Sequence, residues 1–146
     1  MDRRTVTDGF SVSSQLDVHD IEVLARQGIR SLVNNRPDGE QALQPRTADL
    51  ARAAEDLGLA YVDLPVVSGA LTPEVINRFG ELLRDLEKPV LAFCRSGTRS
   101  ISLWALAEAR QRDIEDVMRR AAAAGYDLRG LRPQLLEQAR LAGRRH

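Results

Sequence analysis

Cys94 is the only cysteine among the 146 residues, and it stands inside Val90-Leu-Ala-Phe-Cys-Arg-Ser-Gly-Thr-Arg-Ser-Ile-Ser-Leu-Trp104. Val90 to Phe93 is a short β-prone run, and Pro89 in front of it marks the entry of a strand. From Ile101 the spacing Ile101, Trp104, Ala105 and Ala109 predicts one apolar face of a helix. Arg95, Ser96, Gly97, Thr98, Arg99 and Ser100 lie between the two, and none has a reason to be in a core. A strand that turns at once into a helix aims several backbone N–H groups at one point. With the helix N-terminus behind them, those groups form an anion cradle. A thiol at the mouth of the cradle, beside Arg99, is favoured as the thiolate by both the dipole and the cation. A lone free cysteine commonly serves as a small core side chain. The arginines, the glycine and the hydroxyl residues of this turn argue against that role here. The sequence therefore predicts Cys94 as a nucleophile and Arg99 as its catalytic partner. Arg95, Ser96, Gly97, Thr98 and Ser100 complete the predicted anion-binding loop.

The flanking sequence predicts alternating strands and helices. Phe10-Ser-Val-Ser13 alternates and reads as the first strand. Asp17 reads as an N-cap with Asp20 three residues on, and Gly28 ends that helix. Ile29 to Val33 is a second strand, emptying into Asn34-Asn-Arg-Pro-Asp-Gly-Glu40. That run is ordinary turn chemistry. Its place at a strand end next to the cradle strand nevertheless makes Asn35 and Arg36 candidate site residues. A helix over Thr47 to Leu57, a strand over Leu59 to Leu64 and a helix capped by Thr72 and Pro73 follow. Val75, Ile76, Phe79, Leu82, Leu83 and Leu86 form the apolar stripe of that helix. Asp113 caps a helix running to Ala124, and a last helix starts near Pro133 and ends in Arg144-Arg-His146. This order predicts one α/β domain over residues 1–146 with a mostly parallel central sheet flanked by helices. Its core spans about 8–110, and a helical extension covers about 111–146.

Composition narrows the function. Lys plus Arg and Asp plus Glu are both 21, so no net field points to nucleic acid or a membrane surface as a partner. No long apolar run and no signal-peptide pattern is present. A single cysteine forms no intrachain disulfide and suits a reducing cytoplasm. His19 and His146 are the only histidines and lie far apart in sequence, so neither a metal site nor another cofactor is expected.

The turn Cys94-Arg-Ser-Gly-Thr-Arg-Ser100 resembles the active loops of two groups of enzymes. Protein tyrosine and dual-specificity phosphatases carry Cys, five residues, then Arg. Rhodanese-type sulfurtransferases commonly have a loop one residue shorter, and here four residues separate Cys94 from Arg99. The rest of the chain does not look like a rhodanese. Asn34-Asn-Arg-Pro-Asp-Gly-Glu40, Leu59-Ala-Tyr-Val-Asp-Leu-Pro65 and Cys94 to Ala107 together resemble the phosphatase-like domain of beta-lactamase-hydrolase-like proteins, over roughly residues 8 to 110. The resemblance implies a protein-tyrosine/dual-specificity-phosphatase-like fold carrying a rhodanese-length loop. It also implies a persulfide dioxygenase as a partner, since that domain is fused to one in some relatives. Two features of phosphatases are missing. Phe93 stands where they usually have a histidine before the cysteine. Val67, Ser68 and Gly69 fall where they carry the aspartate general acid, and Asp63 lies just upstream of that loop.

Sulfur transfer needs less machinery than phosphoester cleavage, because sulfite or a thiolate leaves without a strong acid. The leading expectation is thus a sulfurtransferase. Cys94 takes sulfane sulfur from thiosulfate or a low-molecular-weight persulfide, holds it as a persulfide in the cradle, and passes it to a thiol, sulfite or cyanide. Arg95 and Arg36 would attract the anionic donor at the rim. A cysteine-dependent phosphatase acting on phosphotyrosine or small phosphoesters is the first alternative, and a non-catalytic anion-binding or docking domain is the second. All three readings require the planar fork of Arg99. Arg99→Lys keeps the charge and should still weaken anion binding, measured as the affinity for a competing oxyanion. Wild-type affinity in the Lys variant would make Arg99 a structural residue.

Overall fold

In the computed structural model, residues 1–143 are described, and the predicted basic tail Arg144-Arg-His146 lies outside them. The strands are β1 (Arg3–Thr7), β2 (Phe10–Ser13), β3 (Ser31–Asn34), β4 (Ala60–Asp63) and β5 (Val90–Phe93). The α-helices are α1 (Val18–Arg26), α2 (Thr47–Asp56), α3 (Pro73–Asp85), α4 (Thr98–Glu108), α5 (Ile114–Ala123) and α6 (Arg132–Leu141). The sheet has the order β1-β2-β5-β3-β4, antiparallel between β1 and β2 and parallel elsewhere. The expected mostly parallel α/β architecture is thus present. β1 was not expected. Arg3-Arg-Thr-Val-Thr carries no apolar alternation, because as an antiparallel edge strand it buries little beyond Val6.

β5 sits in the middle of the sheet and is buried along its whole length, which is why Val90-Leu-Ala-Phe93 reads as a continuous apolar run. Its side chains alternate between two cores. Leu91 and Phe93, with Leu32, meet Ile21 and Leu24 of α1 and Leu50 and Ala54 of α2. Val90 and Ala92, with Phe10, Val12 and Val33, meet the helices on the other face. Phe10 stacks on Trp104 and meets the edge of Phe79.

Local signals hold well at the helix ends. Asp17 and Asp20 form a reciprocal capping box, Thr72 caps α3 through the Val75 N–H, and Gly28 takes φ +93. The helix after the cysteine departs from expectation. It begins at Thr98 rather than Ile101, and Ser100 to Ala107 are buried on every side instead of along one face. The sheet lies on one side of α4, while α3, α5 and α6 pack around the rest. Ile114, Val117 and Ala121 of α5 and Leu135 and Ala139 of α6 join the same core as α3 and α4. Among the described residues no helix is long and apolar enough to cross a membrane.

Phe79 is fully buried against the Phe10 ring at the point where α3 meets the sheet. Phe79→Ala should lower unfolding stability by about 3–5 kcal/mol, read from a urea denaturation midpoint. A loss below about 1 kcal/mol would mean that the site collapses onto the gap at little cost.

Candidate active site

The parallel strands deliver their carboxyl ends to one place, since Ser13 and Asn34 both pair with Phe93. In open α/β sheets this edge is where ligands bind. Cys94 follows Phe93 directly, and its side chain is only 1% exposed. The Gly97 N–H donates to Cys94 Sγ at 3.1 Å. Gly97 makes this geometry accessible by taking φ +92, a conformation that L side chains rarely adopt. α4 starts at the next residue. Among the described residues, the backbone N–H groups of Arg95, Ser96, Thr98, Arg99 and Ser100 donate to no protein acceptor. These unspent donors lie at the N-terminus of α4, where the helix favours an anion.

Arg99 is held beside the thiol from the opposite side. Its two terminal nitrogens donate to both oxygens of Glu40, at 2.8 and 2.9 Å, and Nη1 also donates to the Val66 carbonyl at 2.9 Å. The Glu40 carboxylate, first, and the nearby Cys94 sulfur raise the Arg99 guanidinium above its ordinary value, so it stays charged. Glu40 in turn is held down to about 2, by Arg99 first and then by Arg36. Glu40 was missed in the sequence. It sits four residues beyond Arg36 in a polar loop, and nothing local tells it from a solvated turn residue.

Arg36 is the clearest correction among the predicted site residues. Expected at the rim as an anion attractor, it is 3% exposed and fully engaged with protein groups. Nε donates to Glu40, Nη1 to the Gln15 side chain and Nη2 to the Gln41 side chain. A buried guanidinium with every branch paired is scaffold, because freeing it for a ligand would cost all three of these bonds. Asn35 is also buried. Its amide donates to the Leu64 carbonyl and its oxygen accepts from the Ser100 hydroxyl at 2.8 Å. Ser100, predicted as part of the anion-binding loop, spends its hydroxyl proton on Asn35. What it offers the cradle is its backbone N–H.

Arg95, Ser96 and Thr98 are exposed at the surface of the loop. Ser96 and Thr98 share a hydroxyl–hydroxyl bond at 3.1 Å. With Arg99, Ser68 and Leu71 these three residues line a depression of ≈ 350 Å³ beside the loop.

The loop at Val67 to Gly69 bears no acid and turns sharply, with the Ala70 N–H donating to the Val67 carbonyl. Asp63 shares a strand face with Tyr61, on the α1–α2 side of the sheet, and β3 separates its strand from β5. Burial beside Tyr61 raises its carboxyl above the ordinary value. Asp63 is therefore not aimed at the cradle. Among the described residues no group of three or more His, Cys, Asp or Glu side chains is gathered as metal ligands would be.

Comparison with known proteins places this geometry. The family described as "Beta-lactamase hydrolase-like protein, phosphatase-like domain" matches residues 2–111. A beta-lactamase hydrolase-like protein of Xylella fastidiosa (strain Temecula1) is 34% identical over 146 aligned positions, covering 94% of this chain and 33% of the relative. The chain thus spans about a third of that relative's length. The crystal structure of a candidate phosphatase from Neisseria meningitidis Z2491 superposes with a TM-score of 0.84 at 32% identity, covering 94% of this chain and 99% of the other. The core catalytic domain of the PP-IP phosphatase SIW14 from S. cerevisiae superposes with a TM-score of 0.71 at 14% identity, covering 98% and 91%, and shares the fold.

These matches overturn the sulfurtransferase expectation and remove the support for a persulfide on Cys94, since the family and the structural neighbours are phosphatase-like. Besides the missing acid, that expectation took the four residues between Cys94 and Arg99 as the length of a sulfurtransferase loop. Physically, the left-handed Gly97 closes the loop in fewer residues while Arg99, in the first turn of α4, still reaches Cys94.

The Glu40–Arg99 pair makes a pH-dependent contribution to stability. Because the folded-state value of Glu40 is depressed, that contribution is present above the ordinary carboxylate value and is lost as pH falls toward about 2. Glu40→Gln should therefore be less stable than wild type at pH 7, with the difference in urea midpoint shrinking as pH approaches 2. A difference that stays constant over this range would show that the carboxylate charge is not what holds Arg99.

Proposed function

The chain belongs to the phosphatase-like domain family of beta-lactamase hydrolase-like proteins, and from that premise we propose that it is a cysteine-dependent phosphatase. Its substrates are phosphomonoesters whose leaving group departs without a proton. The observation that carries this reading is the cradle itself. Cys94 Sγ accepts from the Gly97 N–H, the N–H groups of the loop residues on either side of Gly97 are unspent, and Arg99 is fixed by Glu40.

The reaction has two steps. Cys94 Sγ attacks phosphorus, the bond from phosphorus to the leaving oxygen breaks, and the leaving group takes the electron pair. The phosphoryl oxygens are held by the loop N–H groups and by Arg99, which are in place before charge develops on them. Water then attacks the phosphocysteine, the S–P bond breaks, and thiolate and inorganic phosphate are released.

The restriction on substrates follows from the missing acid. Val67 to Gly69 carries no carboxyl, Asp63 faces Tyr61, and Glu40 is bound to two arginines and fully ionised at neutral pH. A proton donor contributes typically ~10²–10⁴-fold with a basic leaving group and little with an acidic phenol. Aryl phosphates of acidic phenols fit this site, and alkyl phosphates fit it poorly.

The test is a series of phosphomonoesters with leaving groups of increasing basicity, from p-nitrophenyl phosphate to an alkyl phosphate. The expected result is a steep fall in kcat/KM along the series, beyond about 10²-fold from end to end. Cys94→Ser should abolish all turnover, and rapid quenching should trap phosphate on Cys94 of the wild type. A flat series would reveal a general acid and overturn the restriction. No turnover of p-nitrophenyl phosphate, with oxyanion binding intact, would favour a non-catalytic anion-binding domain.

A further inference from the structure

Tyr126 lies beyond the residues covered by the family match, yet its hydroxyl reaches the cysteine loop and donates to the Ser96 carbonyl at 2.9 Å. The Gly97 N–H that donates to Cys94 Sγ belongs to the same peptide unit as that carbonyl. A trans peptide is planar, so its C=O and N–H point in opposite directions and cannot be aimed independently. We propose that Tyr126 is a positioning residue for Cys94, acting through the single peptide group that joins Ser96 to Gly97. The proposal rests on the phosphatase reading for the role of Cys94 as nucleophile.

Three observations support this assignment. First, Gly97 places few steric limits on its own backbone, so an unbraced peptide at this point can swing away from the sulfur. Tyr126 braces it, since its hydroxyl holds the Ser96 carbonyl and lies so close to Gly97 that an added Cβ would collide with it. Glycine is thus required here for two separate reasons, its φ of +92 and the tyrosine above it. Second, a hydrogen bond accepted by a carbonyl polarises the whole peptide and strengthens donation from its N–H. The Tyr126 proton thereby reinforces the bond to the sulfur.

Third, Tyr126 is held firmly in position. Gly125 takes φ +95 at the end of α5 and turns the chain back, and the Tyr126 N–H donates to the Ala121 carbonyl at 2.9 Å. Arg4 of β1 clamps the same corner. It donates to the Ala124 carbonyl at 3.2 Å while paired with Asp2. The groups facing Tyr126 are Arg4 and Asp2 from the N-terminal segment and Cys94 from the loop. Burial, first, and then the charges of Asp2 and Cys94 raise its hydroxyl above the ordinary value against the opposing pull of Arg4, which keeps it a donor. Cys94 itself is faced by Arg99 of α4, with Glu40 behind it. Among the described residues no other group donates to the Ser96 carbonyl.

Tyr126→Phe keeps the ring and removes the one proton at issue. Two titrations should be run on the full chain of wild type and variant. One follows the rate of Cys94 alkylation by iodoacetamide against pH, and the other follows kcat/KM for p-nitrophenyl phosphate against pH. The alkylation midpoint should rise by about 0.5–1 unit in the variant, because a weakened hydrogen bond to the sulfur disfavours its ionised form. The acid limb of kcat/KM should move by the same amount, with activity below the midpoint falling about 3–10-fold. Unchanged midpoints would overturn the proposal, even if thermal stability fell, because a merely structural brace leaves them in place. If the Phe variant does not fold, Tyr126→Leu is read by the same criteria. The alkylation titration needs no turnover, so it separates the two readings. A shifted alkylation midpoint in a protein that hydrolyses no phosphoester would sink the phosphatase function and leave the role of Tyr126 standing.

Discussion

The turn from β5 into α4 closes through one left-handed residue, and the rest of the site depends on that closure. Gly97 lets the chain reverse within the four residues between Cys94 and Arg99, returns its own N–H to the sulfur, and starts the helix whose first turn carries Arg99. With an ordinary residue there, the backbone would be strained and its Cβ would meet Tyr126. One torsion angle therefore sets the donor on the Cys94 sulfur, the dipole behind it and the start of the helix that carries Arg99.

The tip of this loop has little to hold it in shape, because Arg95, Ser96 and Thr98 are exposed. The surrounding elements supply the restraint from two directions. On one side the 34–46 segment is tied to itself. Asn34 accepts from the Arg36 N–H, Gln44 bonds the Pro37 carbonyl and the Glu40 N–H, and Asp38 caps Thr47. These bonds present Glu40 to Arg99. On the other side α5 ends under the clamp of Arg4 and presents Tyr126 to Ser96. The end of α5 is thereby connected to the cysteine loop, although its apolar face reads only as core.

This arrangement also explains why a strong local motif suggested the wrong reaction. The number of residues between Cys94 and Arg99 was read as the mark of a sulfurtransferase loop, but the shape of the loop depends on torsion angles and on where Arg99 is pulled. Glu40 and the Val66 carbonyl set the latter. The absent acid at Val67 to Gly69 was read correctly as a chemical fact. Under the proposed phosphatase reading, its consequence is a limit on leaving groups.

The sequence by itself determined the central strand, the cysteine turn and most helix ends, because these depend on interactions within a few residues. Val90 to Phe93 is buried on both faces and must be apolar throughout, Asp17 and Thr72 cap their own first turns, and Gly28 ends its own helix. The edge strand β1 escaped notice because an edge buries too little to impose a pattern. Only the tertiary structure decided the partners of the loop. Glu40 meets Arg99 across 59 positions, Ser100 meets Asn35 across 65, and Tyr126 meets Ser96 across 30. It likewise moved Arg36 from the rim to the scaffold, by surrounding it with Glu40, Gln15 and Gln41. Periodicity and caps record what a residue does to its neighbours in the chain. A hydrogen-bond partner is chosen by proximity in space, which exists only once the sheet has brought Ser13, Asn34 and Phe93 to the same edge.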